Sequence, residues 1–101
     1  MTESLDLVTY RVRGGFTTID RKNDSIIRRH KWRIDKRGSV VADISKPPYR
    51  LYLHRVIMHC PKGKEVHHRN GKRRDNYESN MVIVTQEEHL RLHGWKPPVL
   101  E

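Results

Sequence analysis

Short alternations of apolar and polar residues mark the first half of the chain, over 10–12, 16–19, 32–34 and 40–44. A period of two puts one set of side chains on one face of an extended strand. The alternations are separated by Gly14 and Gly15, by Asn23 and Asp24, and by Arg37 and Gly38, all residue types that favour turns. Small antiparallel strands are therefore predicted over 10–53. Pro47 and Pro48 interrupt the pattern, and 49–59, with Leu51, Leu53, Val56, Ile57 and Met58 as its apolar content, reads as a strand passing into a short helix. Periodicity leaves the division between the two open.

The second half is punctuated differently. Cys60, Pro61, Lys62, Gly63 and Lys64 form a turn, after which 65–68 has room only for a strand ending in a loop. The polar segment 69–79, with Asn70 and Gly71, predicts a hairpin or longer loop, and the apolar run 81–84 a buried strand. Thr85 followed three positions on by Glu88 is a capping-box signature, and Gly94, Pro97 and Pro98 supply a stop, so a helix is predicted over 85–93. The expected fold class is α+β: a small antiparallel β region followed by strand, loop, strand and helix. No internal repeat breaks the 101 residues, which read as one domain, with a β-rich part at 10–53, a second part at 54–94 and a tail at 95–101.

A chain of this size buries only about 60–65% of its unfolded surface. With 35% hydrophobic and 33% charged residues and a mean hydropathy of -0.87, apolar packing has little to work with, and a bound metal would help. Lys and Arg total 21 against 12 Asp and Glu, a formal charge of +9, which is the footprint of a polyanion binder. Charge alone does not separate a nuclease from a protein that merely coats nucleic acid. The single cysteine, Cys60, excludes an internal disulfide and a zinc site of paired thiolates, leaving His, Asp, Glu and Asn as ligands. Residues 1–6 lack the pattern of a signal peptide and no stretch approaches eighteen apolar residues, so a cytoplasmic protein without a membrane partner is expected.

His89 and His93, four residues apart on the predicted helix, share one face with Cβ atoms about 5–6 Å apart and can grip one ion. Alone, such a pair is more often solvated or capping. His67 and His68 are consecutive in a strand and so point to opposite sides, which lets one bind metal while the other faces a substrate.

Jointly, His67 and His68, Asn80, His89 and His93 resemble the HNH, or ββα-metal, nucleases. The segment 80–85 leading into a helix with both His89 and His93 is similar to the nuclease domains of DNase colicins. The stretch 53–80 is similar to the small HNH endonucleases of phages and mobile introns, and the resemblance spans 53–94. It implies a metal-dependent DNA endonuclease or nickase with 54–94 as its ββα-metal catalytic core. It further implies His67, His89 and His93 as metal ligands, His68 as general base, and Asn80 as the residue bracing the loop so that His68 is held. Many phage-type members carry Asp at the position of His67 and Asn at that of His89. Three imidazoles favour Zn²⁺ or Ni²⁺, whereas the phage-type set suits Mg²⁺ or Mn²⁺, so the ion is one of these four.

The chemistry agrees with those roles. Hydrolysis of a phosphodiester needs a deprotonated water and a positive centre for the developing charge. A neutral imidazole at position 68 accepts the proton if its other nitrogen donates to a fixed carbonyl. Three protein ligands leave an open position, the mark of a catalytic site.

Supporting candidates are Glu65, one strand period before His67 and able to orient a metal-bound ring, and Asn76 beside the loop. Arg55 and Arg69 are candidates for a phosphate clamp. Lys72, Arg73 and Arg74 in the loop and Arg28, Arg29 and Arg33 in the β-rich region are candidates for contacts with a DNA duplex. Trp32 suits either base stacking or the core, and His54 and His59 read as packed or solvated. A monomer would nick and a homodimer could cut both strands, in the cytoplasm of a bacterial host if a phage or mobile element encodes the chain. The alternative is a non-catalytic basic nucleic-acid-binding module with a structural metal site.

Overall fold

Strand pairing follows the alternation seen in the sequence. The computed structural model describes residues 6–94. The predicted tail 95–101, with the stop signal at Pro97 and Pro98, lies outside the described residues, as does most of 1–6. Strands β1 (Leu7–Val12) and β2 (Gly15–Asp20) form a hairpin in which Leu7 faces Asp20 and Val12 faces Gly15. The hairpin turns at Gly14, whose φ of 92° is accessible to glycine at little cost. A second antiparallel sheet holds β3 (Arg33–Ile34), β4 (Val40–Ser45) and β5 (Pro48–Tyr52) in the order β3-β4-β5. The run over 49–59 divides at its middle into β5 and helix α2 (Leu53–Met58).

The C-terminal unit is β6 (Lys64–His68) paired antiparallel with β7 (Met81–Thr85), then helix α3 (Gln86–Leu92), the predicted order of strand, loop, strand and helix. The chain is thus a mixed α+β fold of small sheets.

The β-rich first half requires one correction. Asn23 and Asp24 lie between β2 and β3 but do not simply turn the chain from one to the other. They open helix α1 (Asp24–Arg29) after a 3-10 turn over Arg21–Asn23. The Asp24 carboxylate accepts from the Tyr10 hydroxyl and pairs with Arg28 four residues on, while Ile26 and Ile27 pack against the core. Arg28 and Arg29 therefore sit on a helix surface, not along a strand.

One core cluster draws on both halves: Ile19, Trp32, Val40, Ala42, Leu53, Ile57, Val66 and Met81. Trp32 is buried within it and donates its Nε1–H to the Ile26 carbonyl at 3.3 Å, so it is core and not a stacking surface.

Strand β2 does more than complete a hairpin. The loop over 69–79 docks on it at one parallel bridge, through Thr18 N–H to the Arg74 carbonyl (3.0 Å) and Asn76 N–H to the Thr18 carbonyl (2.8 Å). Farther along, Glu78 N–H donates to Asp20 Oδ2 at 2.7 Å, and Asn23 and Lys22 both reach the Glu78 carboxylate. The N-terminal hairpin is a buttress for that loop.

Helix α3 has seven residues and none is buried, so its own caps matter. Thr85 Oγ1 accepts from Glu88 N–H and the Glu88 carboxylate accepts from Thr85 N–H, both at 3.1 Å, completing the capping box. Thr85→Ala is expected to cost α3 about 1 kcal/mol. In hydrogen exchange the amides of 90–92 should then open about five-fold more readily while those of β4 stay unchanged; unaltered exchange in α3 would contradict this role for the cap.

Candidate active site

The alternation of β6 sends Glu65 and His67 to one side and Val66 and His68 to the other. On the first side stands α3, where the one-turn spacing of His89 and His93 brings their rings together edge to face with centroids 4.7 Å apart. Both lie 5.7 Å from the ring of His67. Each of the three offers one ring nitrogen, and these atoms lie within 4.8 Å of one another. Glu65 accepts from His89 Nδ1, which turns His89 Nε2 toward His93 Nε2 at 3.1 Å.

This donor set fits a cation. Two unprotonated ring nitrogens at that distance repel unless something positive lies between them, and tetrahedral zinc with bonds of about 2.0–2.1 Å sets its nitrogens about 3.3 Å apart. Burial pushes the His67 imidazole below its ordinary value of 6.5, and the nearby His89, His93, His68 and Arg69 push it the same way, so it favours the neutral, ligating form.

On the other side of β6, His68 is 8% exposed and its Nε2 is 2.8 Å from Oδ1 of the fully buried Asn76. A carbonyl oxygen only accepts, so Nε2 carries the proton in the neutral ring. Its Nδ1 has no partner among the described residues, and the ring forms part of a cavity wall. Burial holds His68 below 6.5, with Arg73 acting the same way, against an opposing effect from the Asn76 hydrogen bond and from Asp75.

Asn80, in the 3-10 turn Glu78–Asn80, does not touch His68. Its Oδ1 accepts from Asn70 N–H (3.2 Å) and its Nδ2 donates to Asn70 Oδ1 (2.9 Å) and to the Asp75 carbonyl (2.8 Å). It closes the loop on itself, and the side chain against the ring of His68 is Asn76.

A cavity of about 390 Å³ joins the two sides of β6: His67, His68, His89 and His93 all line it, together with Glu65, Arg55 and Arg73. Glu65 is the one carboxylate among its described lining residues. Arg55 faces the cavity but donates to the carbonyls of Lys64 (2.8 Å) and Pro61 (3.2 Å), which tie α2 to the following turn. Lys72 and Arg74 line an adjacent cleft that shares Arg37, Gly71 and Arg73 with the cavity. Arg69 is exposed and lines neither.

Arg28, Arg29 and Arg33 are not brought to the cavity. Arg28 pairs with Asp24, and Arg33 shares Asp43 with Arg50. Arg37, part of a basic pair in the sequence that reads as a candidate for phosphate contacts, lies in the wall, whereas nothing local pointed to Tyr52 and Ser39 beside it or to Thr17 behind Asn76.

His54, read from the sequence as packed or solvated, is packed: its ring lies 5.4 Å from that of His68, and its Nδ1 is the one buried polar side-chain atom without a partner among the described residues. Burial, then the proximity of His68, Arg55 and Arg73, pushes it down to about 4.

Residues 51–91 match a family model described as HNH endonuclease. The match supports assigning the chain to the HNH family and supports a nuclease-type function at the level of that family. It takes in His67, His68, Asn76, Asn80 and His89 and stops short of His93. No curated protein and no solved structure matches the chain. No helix among the described residues is long and apolar enough to cross a membrane.

The buried, neutral His54 makes stability depend on pH. Its folded value lies below that of the unfolded chain, so its contribution is complete above pH 6.5 and is lost as the pH falls toward 4. The drop corresponds to at most ~3 kcal/mol. Urea midpoints measured from pH 7 to pH 4 should fall accordingly, and His54→Phe should flatten the curve; an unchanged slope in the variant would show that His54 is not the group responsible.

Proposed function

We propose that the protein is a metal-dependent DNA endonuclease that nicks duplex by hydrolysing a phosphodiester bond. The observation that carries this reading is that the three ring nitrogens gathered by His67, His89 and His93 open onto the same cavity as His68. His67, His89 and His93 are the proposed metal ligands, with Glu65 fixing the ring of His89 through its Nδ1. A divalent ion held there would supply positive charge to the phosphate and to the departing 3′-oxygen. Zn²⁺ and Ni²⁺ suit three imidazoles better than Mg²⁺ or Mn²⁺.

His68 is the proposed general base. With the proton of its neutral ring on Nε2, its Nδ1 is the atom that takes a proton from water, and a value held below 6.5 keeps the ring in that form at neutral pH. Arg73 and Arg37, in the cavity wall, would hold phosphates beside the site, and the formal charge of +9 would steer DNA toward it. One such imidazole cluster is present among the described residues, and one cluster per protomer cuts one strand at a time.

Supercoiled plasmid incubated with each of the four ions tests the reading. Nicked circles are expected to appear before linear product, and a chelator should stop the reaction. His68→Ala should slow cleavage by about 100-fold or more with metal uptake intact, whereas His67→Ala should lose uptake as well. Metal uptake without cleavage under any ion would instead favour a basic binding module with a structural metal site.

A further inference from the structure

We propose that Thr17, on β2 and outside the matched family segment, is a positioning residue that fixes which nitrogen of His68 carries the proton. Its functional consequence rests on His68 being the base; the placement of the proton does not.

Donors and acceptors around Asn76 fix the direction of each bond. Thr17 is 1% exposed, and its Oγ1 lies 2.8 Å from the Arg74 carbonyl oxygen and 3.0 Å from Asn76 Nδ2. The carbonyl can only accept, so the hydroxyl donates its single proton there. What Thr17 then presents to Asn76 is a lone pair, which can face only the NH₂ end of the amide. That choice turns Oδ1 toward His68, and Oδ1 in turn demands Nε2–H. Nδ1 is left with its lone pair on the cavity side.

The reverse wiring would need the amide flipped and the hydroxyl donating to it. That arrangement forfeits the hydroxyl bond to Arg74 and leaves the protonated Nδ1 facing the cavity, where it cannot accept from water. The backbone favours the first arrangement as well. The main chain of Thr18 donates to the Arg74 carbonyl and accepts from Asn76 N–H, so the hydroxyl, the amide and the carbonyl are presented to one another by paired main chains. Thr17 and Asn76 are both buried, so water does not offer substitute partners.

Long-range ¹H–¹⁵N spectra of the histidine rings at pH 8, with metal removed, test this directly. Wild type is expected to show a protonated-type shift at Nε2 of His68 and an unprotonated-type shift at Nδ1. Thr17→Val keeps the β-branched shape and removes both polar functions. It should shift both nitrogens toward the values of mixed tautomers and lower the plasmid-nicking kcat by about two- to ten-fold, the bias one buried hydrogen bond supplies, with KM and metal affinity unchanged. Thr17→Ser restores the hydroxyl and should restore both readings. A proton on Nδ1 in wild type, or wild-type nitrogen shifts in Thr17→Val, would overturn the proposal. If Thr17→Val does not fold, the wild-type shifts still decide. A wild type with the expected tautomer but no cleavage would overturn the nuclease reading and leave this one standing.

Discussion

Protons are what the imidazole group of this protein has to keep in order. Five imidazoles line one cavity on a chain whose formal charge is +9, where each added positive charge is disfavoured by its neighbours. The arrangement holds together if the rings are neutral and each remaining N–H points away from the centre. Glu65 takes the N–H of His89 and Asn76 takes that of His68, so that the nitrogens left facing inward carry lone pairs. Burial acts in the same direction on His67, His68 and His54. Lone pairs converging on one side of β6 suit a cation, and a lone pair on the other side suits the proton of a water.

The rest of the fold serves that constraint. Strand β6 sends His67 and His68 to opposite sides by its two-residue period. Helix α3, with no buried residue, relies on the capping box at Thr85 to hold two histidines in register. The loop carrying Asn76 has little apolar content, and its conformation comes from Asn80, which closes it internally, and from β2, which pairs with it externally. The first half of the chain supports that loop through β2 and also lends Arg37, Ser39 and Tyr52 to the cavity wall, while Arg28 and Arg33 pair with acids of their own neighbourhood.

How much was legible in the sequence tracks how local the interactions are. The capping box spans three residues, the His89 and His93 pair one helical turn, and the opposed faces of His67 and His68 a single step of strand; all three were readable. The start of α1 was not, because Asn23 and Asp24 serve equally well as turn or helix-start residues, and the choice came from tertiary partners such as Tyr10. Asn80 bonds Asn70 and Asp75 within the loop. The contact with His68 belongs to Asn76, which the same loop places eight residues along the chain from His68. Thr17, 59 residues from Asn76, had no local signature, since only the docking of the loop on β2 brings the two together.

The central claim is that one ion sits among His67, His89 and His93 with His68 left unliganded beside it. Anomalous diffraction from crystals of the full chain loaded with Zn²⁺, collected on either side of the metal edge, reports this without reference to activity. The account predicts a single strong peak about 2.0–2.1 Å from one ring nitrogen of each of those three residues. A peak bonded to His68, or full-occupancy zinc elsewhere with none in the cluster, would contradict it.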